Sequence, residues 1–346
     1  MTTVPYLDVA ATARWVARRG SEAAIAALTD ALERDFARWP ELDKRPRIAS
    51  HSAEGVIELM PTSDAETYGF KLVNGHPLNP ANGFQTVTAI GMLADVRNGY
   101  PTFLAEMTLL TALRTAATSA LAARYLAPAE SRTLALIGCG SQAEFQALGM
   151  RAELGIETLR VFDVDPLAME KLARHAKALG FDVVLAVDAA DAVRGADVIT
   201  TCTADKQNAT VLQDVDVPAG VFINAIGGDC PGKTELDPAI VARASVFVEL
   251  PEQTRIEGEI QHQAADFPVT ELWQVITGAV PGRQSQDELV VWDSVGFAVE
   301  DWTTLKFVLA DVTANAPELL GHLDLIADPE DPKDLFSLVT RAGAGR

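Results

Sequence analysis

The chain has 346 residues, of which 48% are hydrophobic and 22% charged, so it is long enough for two domains with large apolar cores. This composition excludes an intrinsically disordered protein. The formal net charge of -20 repels nucleic acid and anionic membrane surfaces, so neither is an expected partner.

The first third of the chain predicts a helix followed by a β-rich region. Residues 22–39 carry Ala, Ile and Leu at helical spacing before Pro40, which predicts a long amphipathic helix. A mixed or antiparallel sheet, the expected substrate platform, is then predicted from apolar runs between Gly, Asn and Pro turns at residues 56–60, 68–73, 86–93 and 102–104. Small and apolar residues at 108–126 predict a helix that leads into the next region.

The middle of the chain carries a strand, a glycine turn and a helix start. The apolar residues 133–137 (TLALI) precede GCGSQA at 138–143, which is the GxGxxA pattern of dinucleotide-binding folds. In such folds the glycines, here Gly138 and Gly140, allow a tight turn and a close approach of the backbone to pyrophosphate at a helix N-terminus. The pattern alone also fits a glycine turn in an unrelated α/β fold.

The residues around the glycine turn favour the dinucleotide interpretation. A second apolar run at 158–162 (TLRVF) ends in Asp163, whose carboxylate would accept hydrogen bonds from an adenosine ribose. Ser141 and Gln142 stand at the expected helix start, where they would add donors to phosphate.

The second half of the chain alternates strands and helices. A helix is predicted at 166–179, and strands at 158–162, 183–186, 198–203, 221–226 and 246–249. This order predicts a Rossmann-type doubly wound parallel sheet, so the expected fold class is α/β with a separate α+β substrate domain. Residues 293–297 read as the end of a last strand and a turn, and the helix predicted at 299–314 could return to the first domain.

Three cations stand in unusual places in the first domain or its exit helix. Arg47 precedes a turn, Lys71 lies inside the β-rich run GFKLVNGHP, and Arg114 lies in an otherwise small and apolar helix. Lys and Arg are rarely buried unless paired, so these side chains are candidates to bind an anion such as a carboxylate. The alternative is that they are ordinary exposed or salt-bridged residues.

Residues 224–236 (NAIGGDCPGKTEL) follow an apolar strand and form a second candidate site. Ligands of doubly wound sheets bind beyond the carboxyl ends of the strands, so Asp229 and Lys233 are expected to face a cofactor crevice, where Asp229 could handle protons. The paired glycines would free the backbone to approach nicotinamide, and Thr203, at another strand end, lies where ribose contacts commonly fall. The alternative is a helix-capping Asp with an exposed Lys.

Other features restrict the location and chemistry of the protein. The sequence shows no stretch of bilayer length and no basic region followed by a hydrophobic signal core, so a cytoplasmic protein is expected. Cys139, Cys202 and Cys230 are an odd number at distant positions, which favours reduced thiols. The five histidines form no ligand-spaced cluster, so we expect no metal site.

Several segments, in order over nearly the whole chain, resemble the ornithine cyclodeaminase family within the ornithine cyclodeaminase and mu-crystallin superfamily. They are ASHSAEGVIELMP, GFKLVNGHPLNP, MTLLTALRTAATSALAA, ALIGCGSQAEFQAL, TTCTADK, NAIGGDCPGKTEL, TRIEGEIQ and DSVGFAVED. Alanine dehydrogenases and ketimine reductases of the superfamily share the basic residues and the fingerprint. The segments GGDCPGKTEL and TRIEGEIQ together resemble the cyclodeaminase branch specifically.

The resemblance implies a homodimer built from two kinds of domain. Residues 1–128 would form the substrate-binding and dimerisation domain, to which residues 298–346 return, and residues 129–297 would form a Rossmann domain with tightly bound NAD. The substrate would be held by Arg47, Glu58, Lys71, Arg114 and Val295, of which the cations bind the α-carboxylate and Glu58 the amine end.

By the same resemblance Asp229 is the catalytic acid and base. The NAD site would be lined by Thr86, Arg114, Gly138, Gly140, Ser141, Gln142, Asp163, Thr203, Asn224, Gly227, Lys233 and Ser294. Cys139, between the fingerprint glycines, departs from the family pattern and would alter pyrophosphate packing more than chemistry.

The implied reaction converts L-ornithine to L-proline and ammonia. NAD+ would take the Cα hydride, the δ-amine would attack the resulting imine, ammonia would leave, and the hydride would return to give proline without net redox. Two alternatives stay open: an NAD-dependent alanine dehydrogenase or ketimine reductase, and a binding protein without turnover, as the crystallins of the superfamily suggest.

Overall fold

The computed structural model describes residues 3–204 and 209–344, and its strands form two sheets. Sheet A is mixed, with strand order β16-β1-β7-β6-β5-β4-β2 and β3 paired to β4. Its strands are β1 (Val4–Leu7), β2 (Asp43–Lys44), β3 (Ile48–His51), β4 (Val56–Ser63), β5 (Thr67–Gly75), β6 (Ala89–Asp95), β7 (Pro101–Glu106) and β16 (Gly321–Leu323).

Sheet B is entirely parallel, with strand order β10-β9-β8-β11-β12-β15-β13-β14. Its strands are β8 (Thr133–Ile137), β9 (Thr158–Phe162), β10 (Asp182–Leu185), β11 (Val198–Thr201), β12 (Phe222–Ala225), β13 (Ser245–Val248), β14 (Thr270–Glu271) and β15 (Val290–Asp293). The chain order reverses between β8 and β11, so the sheet is doubly wound and a ligand crevice is expected at the carboxyl ends of these two strands.

The helices cover both sheets. They are α1 (Val9–Arg19), α2 (Ser21–Ala37), α3 (Thr108–Leu126), α4 (Ala143–Leu154), α5 (Pro166–Ala178), α6 (Ala189–Val193), α7 (Pro238–Arg243), α8 (Pro251–Glu257), α9 (Leu272–Ile276), α10 (Ala298–Asn315) and α11 (Ser337–Ala344). In the described part of the chain, none of them is long and apolar enough to cross a membrane.

Helix α10 connects the two sheets. It follows β15 of sheet B and packs its buried Trp302 and Leu305 against one face of sheet A. That face is built from alternate residues of the strands, as β4 illustrates, because side chains of a strand point to opposite faces in turn. The opposite face of sheet A keeps several apolar side chains partly exposed.

The predicted fold class is confirmed by the doubly wound parallel sheet B and the separate mixed sheet A. The strands predicted at 133–137 and 158–162 and the helix predicted at 108–126 have the predicted bounds. The strand predicted at 86–93 begins only at Ala89, because the N–H of Thr88 is bonded to the side chain of Asn74. β1, α1 and β16 were not predicted from the sequence.

Candidate functional site

The glycine turn lies at the carboxyl end of β8, where the order of the strands reverses. Gly138 has a φ of +102°, and a Cβ at this position would lie 2.7 Å from the carbonyl oxygen of Cys202 on the neighbouring chain segment. Only glycine meets both conditions without strain. A Cβ on Gly140 would meet open space, so the backbone there can be approached by a ligand. The geometry fits the diphosphate of a dinucleotide.

Asp163 follows β9 and lies against the glycine turn. Its carboxylate accepts the backbone N–H of Cys139 at 2.7 Å and that of Asp165 at 2.9 Å. Each carboxylate oxygen has a second lone pair, so Asp163 can still accept hydroxyl groups of a ribose. Ser141 and Gln142 immediately precede α4, as the fingerprint predicts.

Three further predicted residues stand at the carboxyl edge of sheet B. Thr203 follows β11 and donates its N–H to Glu235 at 2.9 Å. Lys233, only 5% exposed, donates to the carbonyl of Thr203 at 3.0 Å. Ser294 follows β15 and donates its hydroxyl to Glu249 at 2.5 Å. These contacts bring Thr203 and Lys233 together beside the crevice.

Other predicted cofactor residues have different surroundings. Asn224 is fully buried in β12, and its side-chain amide donates to Gln146 and to Thr200, each at 3.1 Å. Asn224 thereby connects β12 to α4 through Gln146. Its direct contact with a cofactor stays a prediction. The carbonyl of Thr86, just before β6, accepts the N–H of His76 at 2.9 Å, and the role of Thr86 also stays a prediction.

Lys71 and Arg114 are buried together against the start of α10. The Nζ of Lys71 lies 2.8 and 2.9 Å from the two carboxylate oxygens of Asp301. Arg114 places Nη1 2.6 Å from Glu300 and Nε 3.0 Å from Asp301. Burial and the neighbouring Arg114 lower the pKa of Lys71 to about 8, whereas burial raises the pKa of Glu300 to about 8.

Arg47 connects the strands of sheet A with the loops of sheet B. Its Nη1 lies 3.1 Å from Glu58, and its Nε lies 3.1 Å from Glu257. Its Nη2 donates to the carbonyls of Val295 at 2.5 Å and Gly296 at 2.8 Å. The structure therefore brings Arg47, Glu58 and Val295 together, and all three cations of the sequence analysis are buried ion-pair partners.

Glu257 is a candidate site residue that sequence reasoning missed. It lies in the segment TRIEGEIQ, which carried part of the family resemblance without any residue being singled out. Burial, with the nearby charges of Glu58 and Asp229, raises the pKa of Glu257 to about 7 although Arg47 opposes the shift. A carboxyl group of this pKa beside a cation is typical of a functional site.

Asp229 lies in the loop after β12. Its side chain is 54% exposed, and its Oδ1 lies 3.4 Å from the Nζ of Lys233. It is also close enough to Arg47 and Glu257 to interact with both electrostatically. Lys233 is buried, so the alternative with an exposed Lys does not describe this loop.

Among residues 3–204 and 209–344, no group of three or more His, Cys, Asp and Glu side chains could hold a metal ion. The candidate site combines a crevice suited to a dinucleotide with an adjoining cluster of buried cations and carboxylates. The end of the segment TTCTADK, at residues 205 and 206, lies outside the described residues.

A family model described as "Ornithine cyclodeaminase/mu-crystallin family" matches residues 11–315. An ornithine cyclodeaminase of Brucella suis is 54% identical over 99% of this chain and 95% of its own length. A solved lysine cyclodeaminase, described as recognising L-lysine, L-ornithine and L-2,4-diaminobutyric acid, has a TM-score of 0.90 and 34% identity over 96% of this chain and 98% of its own.

A more distant structural relative is an archaeal alanine dehydrogenase, solved as a dimer with bound NAD. Its TM-score is 0.83 and its identity 27%, over 94% of this chain and 100% of its own. Relatives with a different reaction thus share the fold.

Proposed function

The chain belongs to the ornithine cyclodeaminase/mu-crystallin family, and on that basis we propose that it is an NAD-dependent lyase that converts L-ornithine to L-proline and ammonia. The observation that carries the proposal is the cluster in which Lys71, Arg114 and Arg47 are paired with buried carboxylates beside Asp229. Such a cluster has groups of both signs, as a diamino acid requires.

The crevice residues would hold the cofactor. The open backbone at Gly140 and the start of α4 would receive the diphosphate, and Asp163 the adenosine ribose. Lys233 and Thr203 would line the other side of the crevice. NAD, when bound, supplies a hydride acceptor at the substrate Cα and a hydride donor later in the same turnover.

The chain's own residues would bind and orient the substrate. Lys71, Arg114 and Arg47 would receive the α-carboxylate through charge-assisted hydrogen bonds, in place of part of their present pairing with acids. Glu58 and Glu257, both on Arg47, would attract the ammonium end. Because the site is buried, these interactions are less screened than at a surface.

Asp229 would manage protons at the substrate nitrogens. The δ-amine attacks carbon only when it is neutral, so a carboxylate must accept its proton. The same group, then protonated, can deliver a proton to the departing ammonia. Asp229 is suited to this role because its carboxylate is partly exposed and is close enough to Arg47 and Glu257 to interact with them electrostatically.

Isotope labels test this proposal directly. Purified protein with NAD is given L-ornithine deuterated at Cα, or labelled with heavy nitrogen at the α position, in unlabelled water. We expect proline that keeps deuterium at C2, ammonia that carries the nitrogen label, and no accumulation of NADH. Mass spectrometry of proline and ammonia reads both labels.

Each other result contradicts the proposed reaction in a recognisable way. Loss of deuterium to solvent would indicate proton abstraction at Cα. Nitrogen label retained in proline would indicate attack by the α-nitrogen on the δ-carbon. NADH that accumulates with an amino acid would indicate a net dehydrogenase, and cofactor binding without products would indicate a binding protein.

We expect the protein to bind NAD more tightly than NADP. Asp163 carries a negative charge beside the position expected for the adenosine ribose, so it would repel a 2′-phosphate and accept hydrogen bonds from hydroxyls. Titration of the apoprotein with each cofactor measures the difference. Equal or tighter binding of NADP would contradict this role of Asp163.

We propose that the protein is a homodimer, with residues 1–128 and 298–346 as the substrate-binding and dimerisation domain and residues 129–297 as the cofactor domain. The support is the face of sheet A opposite α10. On this face Leu59, Leu72 and Ile90 are register partners across three strands. Leu72 is 39% and Ile90 52% exposed in the single chain. A contiguous apolar face of this kind is typical of a subunit interface.

We expect Leu72→Glu to convert the dimer to monomers, because the new carboxylate would be buried at the centre of the interface without a partner. The matched control is Val215→Glu, at an apolar residue that is 89% exposed far along the chain. Light scattering after size-exclusion chromatography measures the mass of each variant. A dimer that survives Leu72→Glu would contradict this interface.

A further inference from the structure

Buried carboxylates connect the loops at the carboxyl edge of sheet B. Glu235, 1% exposed, accepts the N–H of Thr203 at 2.9 Å and so holds the loop after β11. Glu259, 2% exposed, accepts the N–H of Glu235 at 2.9 Å through one oxygen and that of Leu236 at 3.0 Å through the other. Glu259 therefore binds the far end of the loop that carries Asp229.

A third carboxylate holds Glu259 in turn. Asp293, the fully buried last residue of β15, accepts the N–H of Glu259 and that of Ile260, both at 2.9 Å. The loop of Asp229 is thus connected by hydrogen bonds through Glu259 to β15, an interior strand of sheet B. A carboxyl group that accepts one backbone N–H at each of its two oxygens is held in a defined orientation by these hydrogen bonds.

The two glycines before Asp229 show how closely these carboxylates approach the loop. A Cβ on Gly227 would lie 1.9 Å from a carboxylate oxygen of Glu235, and a Cβ on Gly228 would lie 2.7 Å from Oε1 of Glu259. The glycine pair is therefore required by the carboxylates behind it. This is a second reason for the two glycines, besides the predicted approach of their backbone to nicotinamide.

We propose that Glu259 is a positioning residue that holds Asp229 at the distance from the substrate nitrogens that proton transfer requires. This inference rests on the proposed role of Asp229 as acid and base. Asp229 is half exposed and its ion pair with Lys233 is long, at 3.4 Å, so the backbone of its loop must define its position. A displacement of about 1 Å at a reacting group costs about 100-fold in rate.

Glu259→Gln tests this role. The amide oxygen can accept one of the two backbone N–H groups, but the amide nitrogen faces the other as a second donor. We expect kcat to fall by about 10- to 100-fold, with KM for ornithine and the affinity for NAD nearly unchanged. In Gly228→Ala the new methyl group would displace Oε1 of Glu259 from the loop side. This variant should also lower kcat with little change in KM or NAD affinity.

The Asp229→Asn background separates positioning from a merely structural role. If Glu259 acts through Asp229, then Glu259→Gln should lower the remaining kcat little once Asp229 is lost. A structural defect would lower kcat by the same factor in both backgrounds, and that result would overturn the proposal. The matched control is Glu288→Gln, which also removes a carboxylate that accepts backbone N–H groups, those of Gln284 and Ser285, and should leave kcat unchanged.

Hydrogen exchange keeps the test independent of the reaction. In Glu259→Gln the amide protons of Glu235 and Leu236 should exchange at least about tenfold faster, while those of β12 keep their protection. Unchanged exchange in the loop would overturn the positioning role whatever the activity is. Faster exchange together with a protein that never converts ornithine would contradict the proposed function. The role of Glu259 in holding the loop would still be supported.

Discussion

Asp229→Asn is expected to lower the turnover of ornithine by about two orders of magnitude or more, the usual scale for the loss of a general acid and base. Asn has the same shape and can keep the contact with Lys233, so folding and NAD affinity should not change. Steady-state kinetics, with cofactor titration and thermal unfolding of the same preparation, measure all three properties.

The control for this variant is Asp237→Asn, at the other end of the same loop. Asp237 caps α7 by accepting the N–H of Ala239 at 3.0 Å, and Asn is an equally good capping residue. Its kinetics should equal those of the unaltered protein. Turnover by Asp229→Asn within a few-fold of the unaltered protein would reduce Asp229 to a structural residue and would remove the basis of the proton-transfer scheme.

The parts of the fold that could be predicted are those whose signals are local. β8, β9 and α3 are bounded by their own apolar runs and by the residues next to them, so their bounds followed from the sequence. β1 could not be predicted, because three of its four residues pair with β16 across most of the chain, beginning with Val4 and Leu323. The hydrophobic pattern of a four-residue segment cannot indicate which distant strand it pairs with.

The same distinction between local signals and distant partners applies to the residues of the candidate site. The glycine turn and Asp163 could be predicted, because a strand, a turn and a helix start are adjacent in the sequence. The pairing of Lys71 with Asp301 could not, since 230 residues separate them. Glu257 was missed for a similar reason: its partner Arg47 lies in the other sheet's part of the chain, and nothing local marks one glutamate of TRIEGEIQ from the next.

Lys71→Met is expected to raise KM for ornithine by about 10- to 150-fold, which corresponds to about 1.5–3 kcal/mol for a lost hydrogen bond to a charged group. The effect should fall mainly on binding, because Lys71 would contact the carboxylate and not the reacting nitrogens. Asp301 keeps its contact with Nε of Arg114 at 3.0 Å, so this variant leaves no carboxylate entirely without a cation. Unchanged KM would contradict the role of Lys71 in binding the carboxylate.

The pH dependence of kcat/KM gives the same contact a second test. Burial lowers the pKa of Lys71 to about 8, so the ammonium is present below that pH and is lost as the pH rises through it. We therefore expect kcat/KM to fall above about pH 8, because only the charged form attracts a carboxylate. In Lys71→Arg the guanidinium stays protonated, so the fall attributable to residue 71 should disappear. The amines of ornithine titrate identically in both experiments, so the difference between the two profiles belongs to Lys71, and identical alkaline profiles would show that its protonation does not control binding.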